Sequence, residues 1–177
     1  MKKSEPFHLK CVPAEGTSKI SRSNASQFFV AGELCRRGLV AVVTLGNCPN
    51  TDILCSNEEG TKFAHIQVKT FRPADKTCSV GRKAEKNYGS NFFWILGGIP
   101  TMDSDEKPIY YIIPSAIVAK EVKSSHDLWL HTPGKKGQAH KANSFRNVMI
   151  PPHKSKWHQL DLTPYENRWD LVLGRLG

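Results

Sequence analysis

The sequence has 177 residues, enough for one domain with a sizeable hydrophobic core and too few for two. Hydrophobic residues make up 39% and charged residues 23%, a globular composition that excludes a disordered or fibrous chain. The chain has 25 lysines and arginines against 16 aspartates and glutamates, which gives a formal net charge of +9. A domain this basic attracts polyanions, and nucleic acid is the commonest such partner.

Neither membrane insertion nor export is expected for this chain. No apolar run approaches the roughly 20 residues that span a bilayer, and no apolar segment follows the lysines at the amino terminus, as a secretory signal would require. The five cysteines are scattered and form no Cys-x-x-Cys pair. This pattern favours reduced thiols in a cytoplasmic protein over disulfides or a zinc site.

In the first quarter of the chain, the pattern predicts a polar arm, a helix and a strand. Residues 1–21 are polar and mixed, which is typical of a loosely held arm or an edge strand. Asn24 resembles a helix cap, apolar residues then recur at three- and four-residue steps, and Gly38 is placed to end the helix. The β-branched run 39–45 predicts a buried strand, closed by a turn at residues 46 and 47.

The rest of the chain predicts a hairpin, two more strands and flanking helices. Together these elements predict an α/β sandwich around a mixed sheet. In chain order they are a strand at 51–56, a hairpin loop at 57–60, a strand at 62–71, a basic loop at 72–90, strands at 92–96 and 109–113 with an acidic turn at 103–106 between them, a helix at 114–122, an unassigned segment at 131–158 and a short helix at 164–173.

The strand at 62–71 carries the most informative polar side chains. Because side chains alternate along a strand, Ala64, Ile66 and Val68 should enter the core. Gln67 and Lys69 then lie on the other face. Placing a lysine and an amide on a largely buried strand costs free energy, so these side chains are expected to have a function. The alternative is that Lys69 lies on an edge strand and discourages aggregation.

Two acidic residues are placed to join this strand. Hairpin geometry sets Asp52 roughly opposite Gln67, and Glu33 lies at the rim of the apolar stripe of the first helix. Mg²⁺ or Mn²⁺ could be held by Glu33, Asp52, Gln67 and the Val68 carbonyl, because hard cations prefer oxygen ligands. Lys69 would then orient a water or offset charge on a phosphate. The alternatives are that Glu33 pairs with neighbouring arginines and that Asp52 caps a turn.

Glu33, the Asn-Thr-Asp sequence ending at Asp52, and the Gln-Val-Lys sequence 67–69 together resemble the PD-(D/E)XK nuclease superfamily. The resemblance covers residues 31–70 and implies a restriction-endonuclease-like fold, a three-layer sandwich with a central mixed sheet flanked by helices, like that of archaeal Holliday-junction resolvases. It implies a metal-dependent DNA endonuclease with Glu33, Asp52 and Gln67 as ligands and Lys69 as the catalytic lysine. Such an enzyme would serve restriction, repair or mobile-element defence.

The sequence departs from the superfamily pattern at two positions. Thr51 stands where many members have proline, and Gln67 replaces the usual acid, which removes one negative charge and should weaken metal binding. A catalytically inactive nucleic-acid-binding module of the same fold is therefore the first alternative. The second is an accessory domain whose basic surface meets an acidic protein.

Two basic groups are the expected contacts to DNA phosphates, which fix position without reading sequence. The whole chain is predicted to be one nuclease-like domain, with a core at about 22–122 and a basic, aromatic extension at 123–177 that packs on it. A homodimer is expected, because two sites related by a two-fold axis cut both strands of a duplex, and the DNA could be branched or otherwise structured. The predicted phosphate contacts are Arg82, Lys83, Lys86, Lys135, Lys136, Lys141 and Arg146.

Overall fold

The computed structural model describes residues 18–44, 48–101 and 104–177. Two one-turn 3-10 helices, Arg82–Glu85 and Thr163–Tyr165, accompany the longer elements. The helices and strands are α1 (Lys19–Cys35), β1 (Val40–Val43), β2 (Ile53–Ser56), β3 (Phe63–Phe71), β4 (Thr77–Ser79), β5 (Phe92–Gly98), β6 (Ile109–Pro114), α2 (Ser115–His131), β7 (Asn147–Met149) and α3 (Asp170–Leu176).

A five-stranded mixed sheet forms the centre of the fold, with strand order β1-β2-β3-β5-β6. Neighbouring strands are antiparallel except β3 and β5, which are parallel. Helices α1 and α3 cover one face of the sheet, while α2 and the small β4–β7 sheet contribute to the core on the other face. The predicted α/β sandwich with a central mixed sheet is therefore confirmed.

Helix α1 is present as predicted, but it begins earlier. Ser18 caps it, accepting a hydrogen bond from the backbone N–H of Ser21 at 3.0 Å, so the predicted cap at Asn24 is wrong. Asn24 instead lies inside the helix, six residues beyond the cap. Gly38, with φ +83°, follows the helix and lets the chain turn into β1. Of the predicted amino-terminal arm, residues 1–17 lie outside the described residues.

Strand β1 is an edge strand, not the buried strand that its apolar sequence predicts. Val40 and Val42 are 44% and 58% exposed, because no described element covers their face of the sheet and only β2 pairs with β1. The predicted turn at 46–47 lies outside the described residues. The next two strands and the loop between them agree with the prediction, and Gly60 (φ +67°) completes the turn.

The second half of the chain is more ordered than the pattern indicates. The loop predicted at 72–90 contains β4 and a 3-10 helix, and the unassigned segment contains β7. Strands β4 and β7 pair although about 70 residues of chain separate them, and local periodicity does not reveal such a pairing. Helix α2 extends nine residues beyond the predicted end at Val122. Asp103, in the predicted acidic turn, lies outside the described residues.

The carboxyl-terminal region contributes directly to the main core. Trp169, Val172 and Leu176 pack in the same hydrophobic cluster as α1 and the sheet. The predicted helix at 164–173 is shifted: the chain makes a 3-10 turn first, and α3 then runs from Asp170 to Leu176. Within the described residues, no helix is long and apolar enough to cross a membrane.

Candidate active site

Strand β3 presents its side chains to opposite faces of the sheet, as its alternation predicts. Ala64, Ile66 and Val68 are buried in the core shared with α1. Gln67 is only 3% exposed although it lies on the other face, and Lys69 is half-buried. A buried amide needs hydrogen-bond partners, so the groups around Gln67 determine what the site can do.

Asp52 is the first of these partners and lies immediately before β2. Its Oδ2 atom accepts a hydrogen bond from the Gln67 Nε2 amide and another from the Val68 backbone N–H at 2.7 Å. The Asp52 backbone N–H bonds to the Ile66 carbonyl at 2.9 Å, which continues the pairing of β2 with β3 and holds the carboxylate in place. The predicted approach of Asp52 to Gln67 across the hairpin is therefore confirmed.

Lys83 is the second partner of Gln67. Its ammonium donates a hydrogen bond to Gln67 Oε1 at 3.0 Å. Burial lowers the pKa of Lys83, the positive charge of Lys69 lowers it further, and Asp52 acts in the opposite direction. The amide orientation follows from these contacts: a donor faces Asp52 and an acceptor faces Lys83, and the opposite orientation would oppose like groups on both sides.

The 3-10 helix Arg82–Glu85 brings Lys83 to this position. Gly81 precedes it with φ +75° and ψ 167°, a conformation that is open to glycine alone. Tyr88 supports the same turn, because its hydroxyl lies 3.2 Å from the Lys83 carbonyl and 3.3 Å from Asn50 Oδ1. The sequence predicts Lys83 only as a phosphate contact and does not single out Tyr88, although the Gly-Arg-Lys sequence 81–83 is a signal for this turn.

A basic cavity opens beside this cluster, with a volume of about 690 Å³. Lys69 and Lys83 lie on its wall together with Val68, and Lys19 and Arg22 come from the start of α1. Its remaining charged residues, Arg72 and Asp75, pair with each other at 2.9 Å. Cations thus outnumber the acid on this wall, so the cavity suits an anion such as a phosphate group.

Glu33 does not join the cluster, contrary to the expected convergence of the four side chains. Its carboxylate pairs with Arg36 at 3.0 Å and with Arg37, and these hydrogen bonds lower its pKa. Arg37, the partner of Glu33, lies over the Trp169 ring, and Trp169 packs against Tyr110 of β6, which places this ion pair near β6. Strand β6 lies three strands from β2, and so roughly 14 Å from the strand that Asp52 precedes. The alternative interpretation, a pairing of Glu33 with the neighbouring arginines of its helix, is the one observed.

The oxygens around Asp52 fit a hard divalent cation without Glu33. The second oxygen of Asp52, Oδ1, accepts no hydrogen bond from any described residue. The Val68 carbonyl points to the same side as its N–H, toward Asp52, because both groups of a strand residue face one neighbour. Gln67 can add an oxygen only when Oε1 leaves Lys83. One carboxylate and neutral oxygens suit a cation that keeps several waters, such as Mg²⁺.

The described residues contain no larger cluster of metal-binding side chains than the one around Asp52. Within residues 18–44, 48–101 and 104–177, no group of three or more histidine, cysteine, aspartate or glutamate side chains could hold a metal ion. His65 lies on the same face of β3 as Gln67 and Lys69 but is exposed; its Nδ1 lies 3.2 Å from the Thr51 hydroxyl, and its ring stacks on Phe92.

The predicted phosphate contacts divide into an exposed group and one buried residue. Arg146 is only 6% exposed; its guanidinium pairs with Glu85 at 2.5 Å and donates to the Asn143 and Phe145 carbonyls. Arg146 is therefore a structural residue, and its prediction as a surface phosphate contact is wrong. The exposed residues are Arg82, Lys83, Lys86, Lys135, Lys136 and Lys141, of which Lys83 also bonds Gln67.

Comparison with known proteins finds structural similarity but no match in sequence. No family profile matches the sequence, and no curated protein is significantly similar to it. The solved structure of a bacterial homing endonuclease, I-Ssp6803I, superposes with a TM-score of 0.55 and 13% sequence identity, over 91% of this chain and 95% of that one. The chain therefore shares its fold with a homing endonuclease along nearly its whole length.

Proposed function

We propose that the protein is a metal-dependent endonuclease that hydrolyses DNA phosphodiester bonds with Mg²⁺ or Mn²⁺. The observation that carries this proposal is the convergence of Asp52, Gln67, Val68 and Lys83, with Lys69 on the wall of the adjoining basic cavity. The fold shared with a homing endonuclease supports it independently.

Each residue has a distinct task in this proposal. Asp52 and the Val68 carbonyl hold the cation, and Gln67 joins them. A bound divalent cation polarises a phosphoryl oxygen and lowers the pKa of a water ligand. Lys69 contacts the scissile phosphate from the cavity wall and offsets the negative charge that grows in the transition state. Lys83 holds the Gln67 oxygen until Gln67 joins the cation, and it adds positive charge to the phosphate-binding cavity.

The exposed lysines and arginine extend this cavity into a surface for the DNA backbone. Lys86 follows the 3-10 helix that carries Lys83, while Lys135, Lys136 and Lys141 lie on the loop between α2 and β7. Contacts of this kind release counterions, so the binding of DNA should weaken steeply as salt rises. If the basic surface instead bound an acidic protein, no cleaved DNA would form either with or without a cation.

The test is cleavage of DNA by the purified chain with Mg²⁺ or Mn²⁺ and with EDTA. The panel contains supercoiled plasmid, linear duplex, single strands and a four-way junction. Asp52→Ala and Lys69→Ala should each lower the rate at least a hundredfold, since each removes a group acting on the transition state. Lys120→Ala, at an exposed position on α2, is the matched control and should cleave normally.

The inactive DNA-binding module is the second candidate, because Gln67 leaves Asp52 as the one carboxylate of the cluster. No cleavage of any substrate by the unaltered protein, together with salt-dependent DNA binding, would establish it in place of the nuclease. We propose a homodimer for the cleavage of both strands of a duplex. Sedimentation equilibrium measures that state directly, and a monomer with full duplex cleavage would refute it.

A further inference from the structure

A second cavity lies between α2 and the segment that follows this helix. Its volume is about 250 Å³, below the roughly 300–1,000 Å³ of pockets that enclose a drug-sized ligand. Trp129, Phe145 and Trp157 supply aromatic surface, and Asn143 adds an amide with both donors and an acceptor. The cavity therefore suits one planar ring system with polar edges.

Two polar groups on the wall lack hydrogen-bond partners. Arg146 uses Nε for Glu85 and Nη1 for two backbone carbonyls, while Nη2 bonds to no described residue. The Nε2 atom of His126 also has no partner in the described structure, but it is too deeply buried for a ligand in the cavity to reach. Nη2 of Arg146 is therefore the open donor of the wall, and a ligand with an acceptor edge would supply its partner.

The charge balance of the wall favours a neutral ligand edge over a free anion. The guanidinium of Arg146 is already neutralised by Glu85 at 2.5 Å. Burial and the nearby positive charge of Arg146 lower the pKa of His126, which favours its neutral imidazole. What remains is a set of hydrogen-bonding edges between aromatic surfaces, the chemistry by which proteins recognise unstacked nucleobases.

We propose that this cavity binds a single unpaired nucleobase of the nucleic acid substrate, with Trp157 and Phe145 against the ring and Arg146 on its acceptor edge. This inference rests on the proposed function. The loop carrying Lys135, Lys136 and Lys141 runs from the end of α2 to Asn143, so phosphates beside the bound base meet cations. Arginine pairs with the O6 and N7 acceptors of guanine, which makes guanine the first probe.

The cavity and the candidate active site are joined by one turn of chain. Within the 3-10 helix Arg82–Glu85, Lys83 bonds Gln67 while Glu85 bonds Arg146. Two residues span at most about 7 Å of backbone, so both sites lie within reach of one short nucleic acid segment. An unpaired base held here would position a neighbouring phosphate for the cluster around Asp52.

The test compares DNA duplexes that differ at one position, which carries either an unpaired guanine or an abasic residue. Binding is measured by fluorescence anisotropy in EDTA. The guanine duplex should bind about tenfold more tightly, the usual worth of stacking one base. Trp157→Ala and Phe145→Ala should each reduce this preference severalfold; Phe145 is 71% exposed, so its truncation should not impair folding. Phe28→Ala, at an exposed aromatic on α1, is the matched control and should keep it.

A second measurement distinguishes a base in a strand from a free nucleotide. Guanosine monophosphate and ribose 5-phosphate are titrated separately while tryptophan fluorescence is recorded; Trp94 and Trp169 lie in the cores, so the response reports the other two tryptophans. Quenching by the nucleotide alone supports the base site. Equal binding of the two duplexes without nucleotide quenching overturns the inference and leaves the nuclease proposal intact. Absence of all DNA binding refutes the nuclease proposal instead. Quenching by the nucleotide then still shows whether the cavity binds a base.

Discussion

Exchanging Gln67 for glutamate tests the electrostatic arrangement of the candidate active site. The Gln67→Glu change removes the amide donor to Asp52 and places a second carboxylate beside it. It also places that carboxylate against the ammonium of Lys83, which lies 3.0 Å from the present Oε1. Lys83 should compensate for the repulsion, so the single variant should fold with little loss of stability and bind Mn²⁺ more tightly.

The magnitude follows from the distance and the burial. Unit charges 3 Å apart interact by about 5 kcal/mol at an effective dielectric constant of 20. Lys83 is largely open to solvent, and screening reduces the net gain to about 1–2 kcal/mol. Leaving the new carboxylate buried without its ammonium costs about 3 kcal/mol. The loss of unfolding free energy in the double variant, Gln67→Glu with Lys83→Met, should therefore exceed the sum of the losses in the two single variants by about 2 kcal/mol.

A double-mutant cycle measured by urea unfolding at pH 7 gives this coupling. Lys86→Met, at an exposed lysine directly after the 3-10 helix, replaces Lys83→Met in the control cycle and should show none. Additivity of the Lys83 and Gln67 changes within about 0.5 kcal/mol would refute the assigned contact.

Three further predictions concern other parts of the fold. Arg146→Met should lower the melting temperature by roughly 6–12 °C in calorimetry, since it breaks a largely buried pair worth about 3 kcal/mol; no change would contradict its structural role. Glu33→Gln should destabilise at pH 7 and progressively less as pH falls below 4.5, because a lowered carboxylate pKa stabilises the fold above the unfolded value of 4.5 and that stability is lost as pH falls through the folded pKa. Gly98→Ala should cost about 1–3 kcal/mol, since its Cβ would lie 2.6 Å from the Phe71 ring, whereas Gly32→Ala on the open face of α1 should be neutral or stabilising.

The part of the site that sequence predicts is the part built from short-range geometry. Alternation along β3 and the symmetry of the hairpin about its loop suffice to set Asp52 beside Gln67. Both rules act over a few residues of one antiparallel pair. The same locality explains why the predicted ends of the central strands differ from the observed ends by at most two or so residues.

The parts that sequence does not predict depend on long-range partners. Lys83 reaches Gln67 from a turn after β4, and Arg146 reaches Glu85 from the far end of the chain's basic loop. In both cases a charged residue in a polar stretch is typical of the surface, and only the three-dimensional structure shows its specific partner. The prediction for Glu33 is wrong for the opposite reason. Its partners lie one turn away on its own helix, and the ion pairs with them hold its carboxylate away from the distant site.

Gly81 gives the final prediction, because it sets the turn that serves both proposed sites. At φ +75° and ψ 167° a side chain costs about 1–3 kcal/mol, so Gly81→Ala should shift the 3-10 helix. Cleavage and the preference for an unpaired base should then fall together. Gly60→Ala, at φ +67° in the β2–β3 turn, is the control: it should lose stability and keep both properties. Loss of one property alone in Gly81→Ala would show that Lys83 and Glu85 do not act through a common turn.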